Sequence, residues 1–277
     1  MSQKLIVTDF DGTLAGPNGI VSQKNRETLD SLGKKKHVRV IATGRNLYSV
    51  HKVIEPSFPV DYVIFTTGAG MIHWPTQKIM VSHHLEKQSI KTAFDCLKQK
   101  QIDFMIHDLI PNNHVFYYFE TGLENSDFGF RKQHYGNYGR PGNLGTLPEN
   151  ATQFVAVLRP DQKESVYESI RRELQSLNVI RATSPFDHKS IWVEIFSKKA
   201  AKHSTAEFLA SELNISLRNT VAVGNDYNDV ELLNWASRSF AVENAISELK
   251  ARHEVVAHAE RGGFSEAIER ILKESDS

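Results

Sequence analysis

Short runs of β-branched and other apolar residues alternate with stretches whose apolar positions recur at helical spacing. Residues 5–7 predict a strand. Ser22 is placed to cap a helix reaching Leu32, with Gly33 as its stop signal. Residues 38–42 predict the next strand, ending at Thr43, followed by a helix over 47–54 and a strand over 62–66. This strand–helix–strand rhythm predicts a parallel sheet with crossover helices.

The middle of the chain is patterned differently. A helix over 85–97 puts Ile90, Ala93, Phe94 and Leu97 on one face, and strands over 102–107 and 115–119 follow closely. Residues 122–150 are rich in Gly, Asn, Tyr and Arg, lack a clear period, and read as a long excursion with turns. A strand over 154–158, a helix carrying Val166, Ile170 and Leu174, and strands over 179–182 and 191–195 complete this region. The last third returns to the first rhythm. It predicts a helix over 200–213, a strand over 220–223, a turn over 224–228 opening a helix through Leu233, a strand over 240–242 and a final helix from Phe264. The expected fold class is α/β. A discontinuous parallel-sheet core, residues 1–82 and 186–277, would carry an α+β unit inserted over 83–185, with seams near His83 and Asp187.

Composition narrows the function. Basic and acidic residues balance at 33 each among 277, so the formal charge is zero, which argues against nucleic acid or an anionic membrane as partner. Lys34, Lys35, Lys36 and His37 read as a solvated helix end, where positive charge is favoured near exposed carbonyls. Cys96 is the only cysteine, so no intrachain disulfide forms, and a reducing, cytoplasmic setting fits. The N-terminus shows no signal-peptide pattern, and no apolar run reaches membrane-spanning length. The oligomeric state is left open.

The strongest chemical signal is Asp9-Phe10-Asp11-Gly12-Thr13, directly after the first strand. One carboxylate can attack or bind a metal while the other handles a proton, so paired acids beside Mg²⁺ at a strand end suit phosphoryl transfer. The bland reading of Asp-X-Asp is an Asx turn or a surface pair. Asp9, Thr43 and the turn from Gly224 to Asp229 all fall at the carboxyl ends of predicted core strands, where α/β folds form their crevice.

These segments resemble the motifs of the haloacid-dehalogenase-like hydrolases, most of which are phosphatases, and the late elements Val242-Glu243-Asn244-Ala245 and Glu260-Arg261-Gly262-Gly263-Phe264 resemble the Cof-like, sugar-phosphatase branch with a large α/β cap. The resemblance implies Asp9 as nucleophile, forming an aspartyl-phosphate, and Asp11 as the acid that protonates the leaving oxygen and later activates water. Thr43, in Ala42-Thr43-Gly44-Arg45, would bond a phosphoryl oxygen, with Gly44 admitting the anion and Arg45 being surface, helix-start or substrate-facing. A lysine should offset phosphoryl charge; Lys198, Lys199 and Lys202 compete, and the family position best matches Lys202. Gly224-Asn225-Asp226-Tyr227-Asn228-Asp229 resembles the metal-binding motif, with Asn225 where aspartate is commoner. The implied Mg²⁺ ligands are the Asp9 side chain, the Asp11 main-chain carbonyl and Asn225, with Asp229 acting directly or through water. Asp226 could supply the charge that Asn225 lacks, although its adjacent backbone position should aim it elsewhere. Gly44, Arg45, Arg131, Arg140, His188, Asn228 and Asn244 are the substrate-binding candidates. The activity so implied is Mg²⁺-dependent hydrolysis of a small phosphorylated metabolite, a sugar or polyol phosphate. The alternatives are a phosphomutase or phosphotransferase, and a non-catalytic phosphometabolite-binding module.

Overall fold

The computed structural model describes residues 2–143, 145–162, 164–184, 186, 187 and 189–275, the side chains of 274 and 275 excepted. The chain divides into two compact units, residues 1–45, 49–81 and 201–277, and residues 46–48 and 82–200. The first element, β1 (Leu5–Thr8), is buried at all four positions. Then come α1 (Gln23–Lys34), β2 (Val38–Ala42), α2 (Leu47–Val50), β3 (Tyr62–Phe65), β4 (Gly70–His73) and β5 (Lys78–Ser82). Ser22 caps α1 as expected, its hydroxyl accepting from the Asn25 amide. Gly33 is not the stop: α1 runs on to Lys34 and the left-handed residue is Lys36, φ 62°. A side chain at 33 would strike Arg39, whose Nη1 lies 2.4 Å from the ideal Cβ position.

The inserted unit contains β6 (Leu85–Glu86), α3 (Lys87–Gln99), β7 (Asp103–His107), β8 (Phe116–Phe119), α4 (Ser126–His134), β9 (Gly139–Pro141), β10 (Asn150–Ala151), β11 (Gln153–Val157), α5 (Glu164–Glu173), β12 (Asn178–Thr183) and β13 (Ile191–Phe196). Its main sheet has the order β12-β13-β11-β7-β8-β9, antiparallel except for β8 with β9. Alternate residues Phe104, Ile106, Phe154, Ala156, Val193 and Ile195 pack with Ile90, Phe94 and Leu97 of α3 and Ile170 of α5. Residues 122–150 are therefore not all loop. Asn125 caps α4 by accepting from the Phe128 amide, and β9 follows. The chain leaves this unit at Ala200 rather than near Asp187, because β13 is hydrogen-bonded between β11 and β12 and belongs to their sheet.

The first unit is completed by α6 (Lys202–Glu212), β14 (Thr220–Gly224), α7 (Val230–Trp235), β15 (Arg238–Val242), α8 (Ser247–Arg252), β16 (Glu254–Val256) and α9 (Gly263–Ser275). Its eight-stranded sheet has the order β16-β15-β14-β1-β2-β3-β4-β5. Pairing is parallel from β16 through β3, and β4 runs antiparallel to β3. The order reverses at β1, which lies between β14 and β2, so the crevice expected of open α/β sheets falls at its carboxyl end. This is the α/β core with an inserted unit that the chain's patterning predicts.

Candidate active site

Asp9 directly follows β1, and its amide still bonds the Val223 carbonyl of β14 at 2.9 Å. That bond fixes the backbone at the strand end and leaves the side chain at the sheet's carboxyl edge. Lys202, the first residue of α6, brings its Nζ to 2.7 Å from Asp9 Oδ1 and 2.7 Å from Asp229 Oδ1. It lies 3.3 Å from Asn228 Oδ1 as well. Of the three candidate lysines only Lys202 makes this contact; Lys198 donates instead to the Gln175 carbonyl, and Lys198 and Lys199 fall in the inserted unit.

The other Asp229 oxygen accepts from the amides of Asn225 and Asp226 at 2.9 and 3.2 Å. Asp229 is fully buried. The geometry thus gives Asp229 the work of holding Lys202 and the Gly224 turn. Asp226 is engaged too, its side chain capping the Asp229 amide.

Two buried carboxylates share one ammonium here. Burial, reinforced by the Asp229 charge and opposed by Lys202, pushes Asp9 up to about 8. Burial alone would lower Lys202, but Asp229 and Asp9 outweigh it and hold the ammonium above its ordinary value.

Asp11 gives both carboxylate oxygens to Arg45, at 2.7 Å from Nε and 2.7 Å from Nη2. Arg45 also reaches Ser49 Oγ at 3.2 Å. The structure places Arg45 on the second acid. Thr43 accepts from the Arg45 amide at 3.1 Å through Oγ1, which leaves its hydroxyl proton for another acceptor. Its hydroxyl closes the turn before α2 rather than capping that helix, which starts at Leu47. A Cβ at Gly44 would meet Asn228 and Thr67 at 3.6 Å, an ordinary contact.

Gly12 has φ +73°, and a Cβ there would lie 2.7 Å from Asn225 Nδ2, so glycine is what lets the Asp11–Gly12 backbone approach Asn225. Thr13 Oγ1 donates to Asn225 Oδ1 at 3.2 Å. Asn244 joins two loops, donating to the Gly12 carbonyl at 2.7 Å and accepting from the Ala259 amide at 3.0 Å. Sequence reasoning assigned no role to Thr13 or Gly68. Gly68, φ +98°, lets its loop pass the start of α6, where a Cβ would lie 2.3 Å from the Ala201 backbone. Thr205 then donates to the Gly68 carbonyl at 2.8 Å, pinning the helix that carries Lys202. The signal was present in the sequence only as Thr next to Asp-Gly and Gly between Thr67 and Ala69.

The donors at this site suit a hard cation: the Asp9 carboxylate, the Asp11 carbonyl and the Asn225 amide oxygen all offer oxygen. A Cβ at 12 would fill the space the Asn225 side-chain amide takes beside this backbone. Among the described residues, no group of three or more His, Cys, Asp or Glu side chains is arranged to hold a metal.

The inserted-unit candidates do not form one cluster. Arg131 is 9% exposed, with its guanidinium 4.4 Å from the Trp192 ring and 5.2 Å from that of Tyr135, and its Nε 3.3 Å from Met105 Sδ. Asp127 anchors the same wall through Trp192 Nε1 and Ser184 Oγ. Arg140 pairs in register with Tyr117, whereas Met105 pairs with Tyr118, so the two arginines belong to opposite faces of the sheet. His188 lies outside the described residues.

The chain resembles known proteins over most of its length. Phosphatase YwpJ of Bacillus subtilis is 25% identical over 272 residues, covering 90% of this chain and 92% of that protein. The 5-amino-6-(5-phospho-D-ribitylamino)uracil phosphatase YwtE of Bacillus subtilis is 23% identical over 293 residues, covering 97% and 98%. The solved structure of BT4131, a sugar phosphatase of haloacid dehalogenase subclass IIB, matches with a TM-score of 0.77 at 16% identity, over 97% of this chain and 99% of that one. The haloacid dehalogenase-like hydrolase family model matches residues 6–268, nearly the whole chain, and the chain belongs to that family of enzymes.

Proposed function

We propose that the protein is a Mg²⁺-dependent phosphatase of the Cof-like branch, releasing phosphate from a small sugar or polyol phosphate. One observation carries the reading: Asp9 from the end of β1, Lys202 from the start of α6 and Asp229 from the loop after β14 form a continuous hydrogen-bonded chain at 2.7 Å contacts. Relatives that share the length of the chain support the substrate class, since one acts on a ribityl phosphate and a structural neighbour is a sugar phosphatase.

In the first half-reaction an Asp9 oxygen attacks phosphorus in line, and the ester oxygen leaves with a proton from Asp11. Lys202 and the Thr43 hydroxyl take up charge on the phosphoryl oxygens. In the second, the Asp11 carboxylate accepts a proton from water as that water attacks the aspartyl-phosphate, and the bond from phosphorus to Asp9 breaks. Arg45 orients Asp11 throughout, and delivering the proton requires one of its two hydrogen bonds to open. Asp9, the Asp11 carbonyl and Asn225 would hold Mg²⁺, which when bound lowers repulsion between the nucleophile and the phosphate.

The test is a panel of phosphorylated sugars, polyols, nucleotides and cofactors assayed with Mg²⁺, on the native chain and on Asp9→Asn. Phosphate release from a sugar or polyol ester by the native chain, and a variant that melts normally but releases about a thousandfold less or none, is the expected result. Unchanged turnover in Asp9→Asn would remove Asp9 as nucleophile. Transfer to a sugar acceptor without free phosphate would favour a mutase, and tight binding without turnover a sensor.

A further inference from the structure

Almost every carboxylate in the active-site loops already has a partner. Asp11 gives both oxygens to Arg45. Asp229 gives one to Lys202 and the other to two backbone amides. Asp226 caps the following turn. Asp9 shares one oxygen with Lys202. Beside it stands Asn225, a neutral side chain whose Oδ1 accepts from Thr13. The oxygen set open to a divalent cation therefore carries at most one negative charge, and an ammonium 2.7 Å away offsets part of it. Mg²⁺ gives up its hydration reluctantly and is commonly held by one or two carboxylates together with substrate phosphates.

We propose that this chain binds its divalent cation and its phosphate as a cooperative pair: the phosphoryl oxygens supply the negative charge that Asn225 withholds, and neither partner binds tightly alone. The identity of the anion rests on the phosphatase reading. The cooperation itself follows from the charge count, since a dianion between Lys202 and the cation satisfies both. Coupling of this kind is reciprocal, so each ligand must tighten the other by the same factor.

The experiment uses the full chain. Mn²⁺ binding is followed by loss of the free-ion paramagnetic resonance signal, with and without saturating inorganic phosphate; phosphate binding is followed by calorimetry, with and without Mn²⁺. The expected result is weak binding of each alone and mutual tightening of about tenfold or more. Asn225→Asp restores a ligand charge, so it should tighten Mn²⁺ alone by about tenfold and shrink the coupling. Asn225→Ala removes the amide oxygen and should abolish phosphate-dependent Mn²⁺ uptake.

Tight Mn²⁺ binding by the native chain that phosphate leaves unchanged would overturn the proposal, as would undiminished coupling in a folded Asn225→Asp chain. The native measurement decides even if a variant fails to fold. Coupling without hydrolysis of any ester would defeat the phosphatase reading alone, and hydrolysis without coupling would defeat only this inference.

Discussion

Lys202 shows how much one residue can be asked to do. Its side chain is 1% exposed and lies between those of Asp9, 7% exposed, and Asp229, fully buried. Burying charged groups is costly unless each is paired, and here one ammonium serves two carboxyl groups. Lys202→Met would leave the buried Asp9 and Asp229 side chains facing each other without the ammonium that both now contact. Breaking a buried pair in this way costs about 3–5 kcal/mol, so urea unfolding should show that loss beside the loss of turnover. A variant as stable as the native chain would mean that the ammonium adds no net stability at this site. From its residues alone the lysine was one of three candidates, with the family resemblance favouring Lys202, because a physical choice among them needs the start of α6. That start is set by Gly68 and Thr205, which no local pattern connects to it. Asp9, Asp11 and Thr43 were legible because each follows an apolar run whose end defines its position.

At the scale of elements, the loop after β3 is held in an unusual conformation. Thr66 and Thr67 have φ of 51° and 52°, the left-handed region that β-branched residues avoid. The backbone there is bonded to the Thr43 loop, with the Thr67 amide on the Thr43 carbonyl at 3.0 Å and the Thr66 amide on the Arg45 carbonyl at 2.8 Å. These two bonds hold the loop against Thr43 and Arg45 in spite of the strain. Asparagine tolerates the left-handed region, so Thr67→Asn should raise stability by about 1 kcal/mol, read as a higher urea midpoint. A lower midpoint would show that the Thr67 hydroxyl contributes more than the backbone strain costs.

Elements with a strong period were readable in advance; those without one were not. In α4 only Asp127, Phe128 and Arg131 are buried and Gly129 sits mid-helix, so no apolar stripe marks it, and its one local sign is the Asn125 cap. The misplaced return seam has the same origin. Nothing along the chain distinguishes a strand that closes the inserted sheet from one that reopens the core, since β13 is as apolar as a core strand and only its pairing assigns it.

The whole molecule carries no formal net charge, so its pH response falls to individual buried groups. Asp9 titrates near its ordinary 3.8 when the chain is unfolded and is pushed up to about 8 when folded, chiefly by burial and by Asp229. Between those values the folded state holds a proton that the unfolded state has lost. The contribution of Asp9 to stability is therefore complete below about 4 and is lost as pH rises through about 8. Metal-free protein in a chelator should lower its urea midpoint over that window, and Asp9→Asn should flatten the trend. A native midpoint rising from pH 5 to 8, with no difference in the variant, would contradict the shift. No helix among the described residues is long and apolar enough to cross a membrane.

The position of β1 has a last consequence. It is hydrogen-bonded to β14 on one side and β2 on the other, and all four of its residues are buried. Its amides are freed only when the sheet itself parts, an event on the scale of global rather than local opening. If Asp9 attacks as proposed, its oxygen hangs from a strand that does not fray by itself, and warming should extinguish reactivity together with the architecture instead of ahead of it.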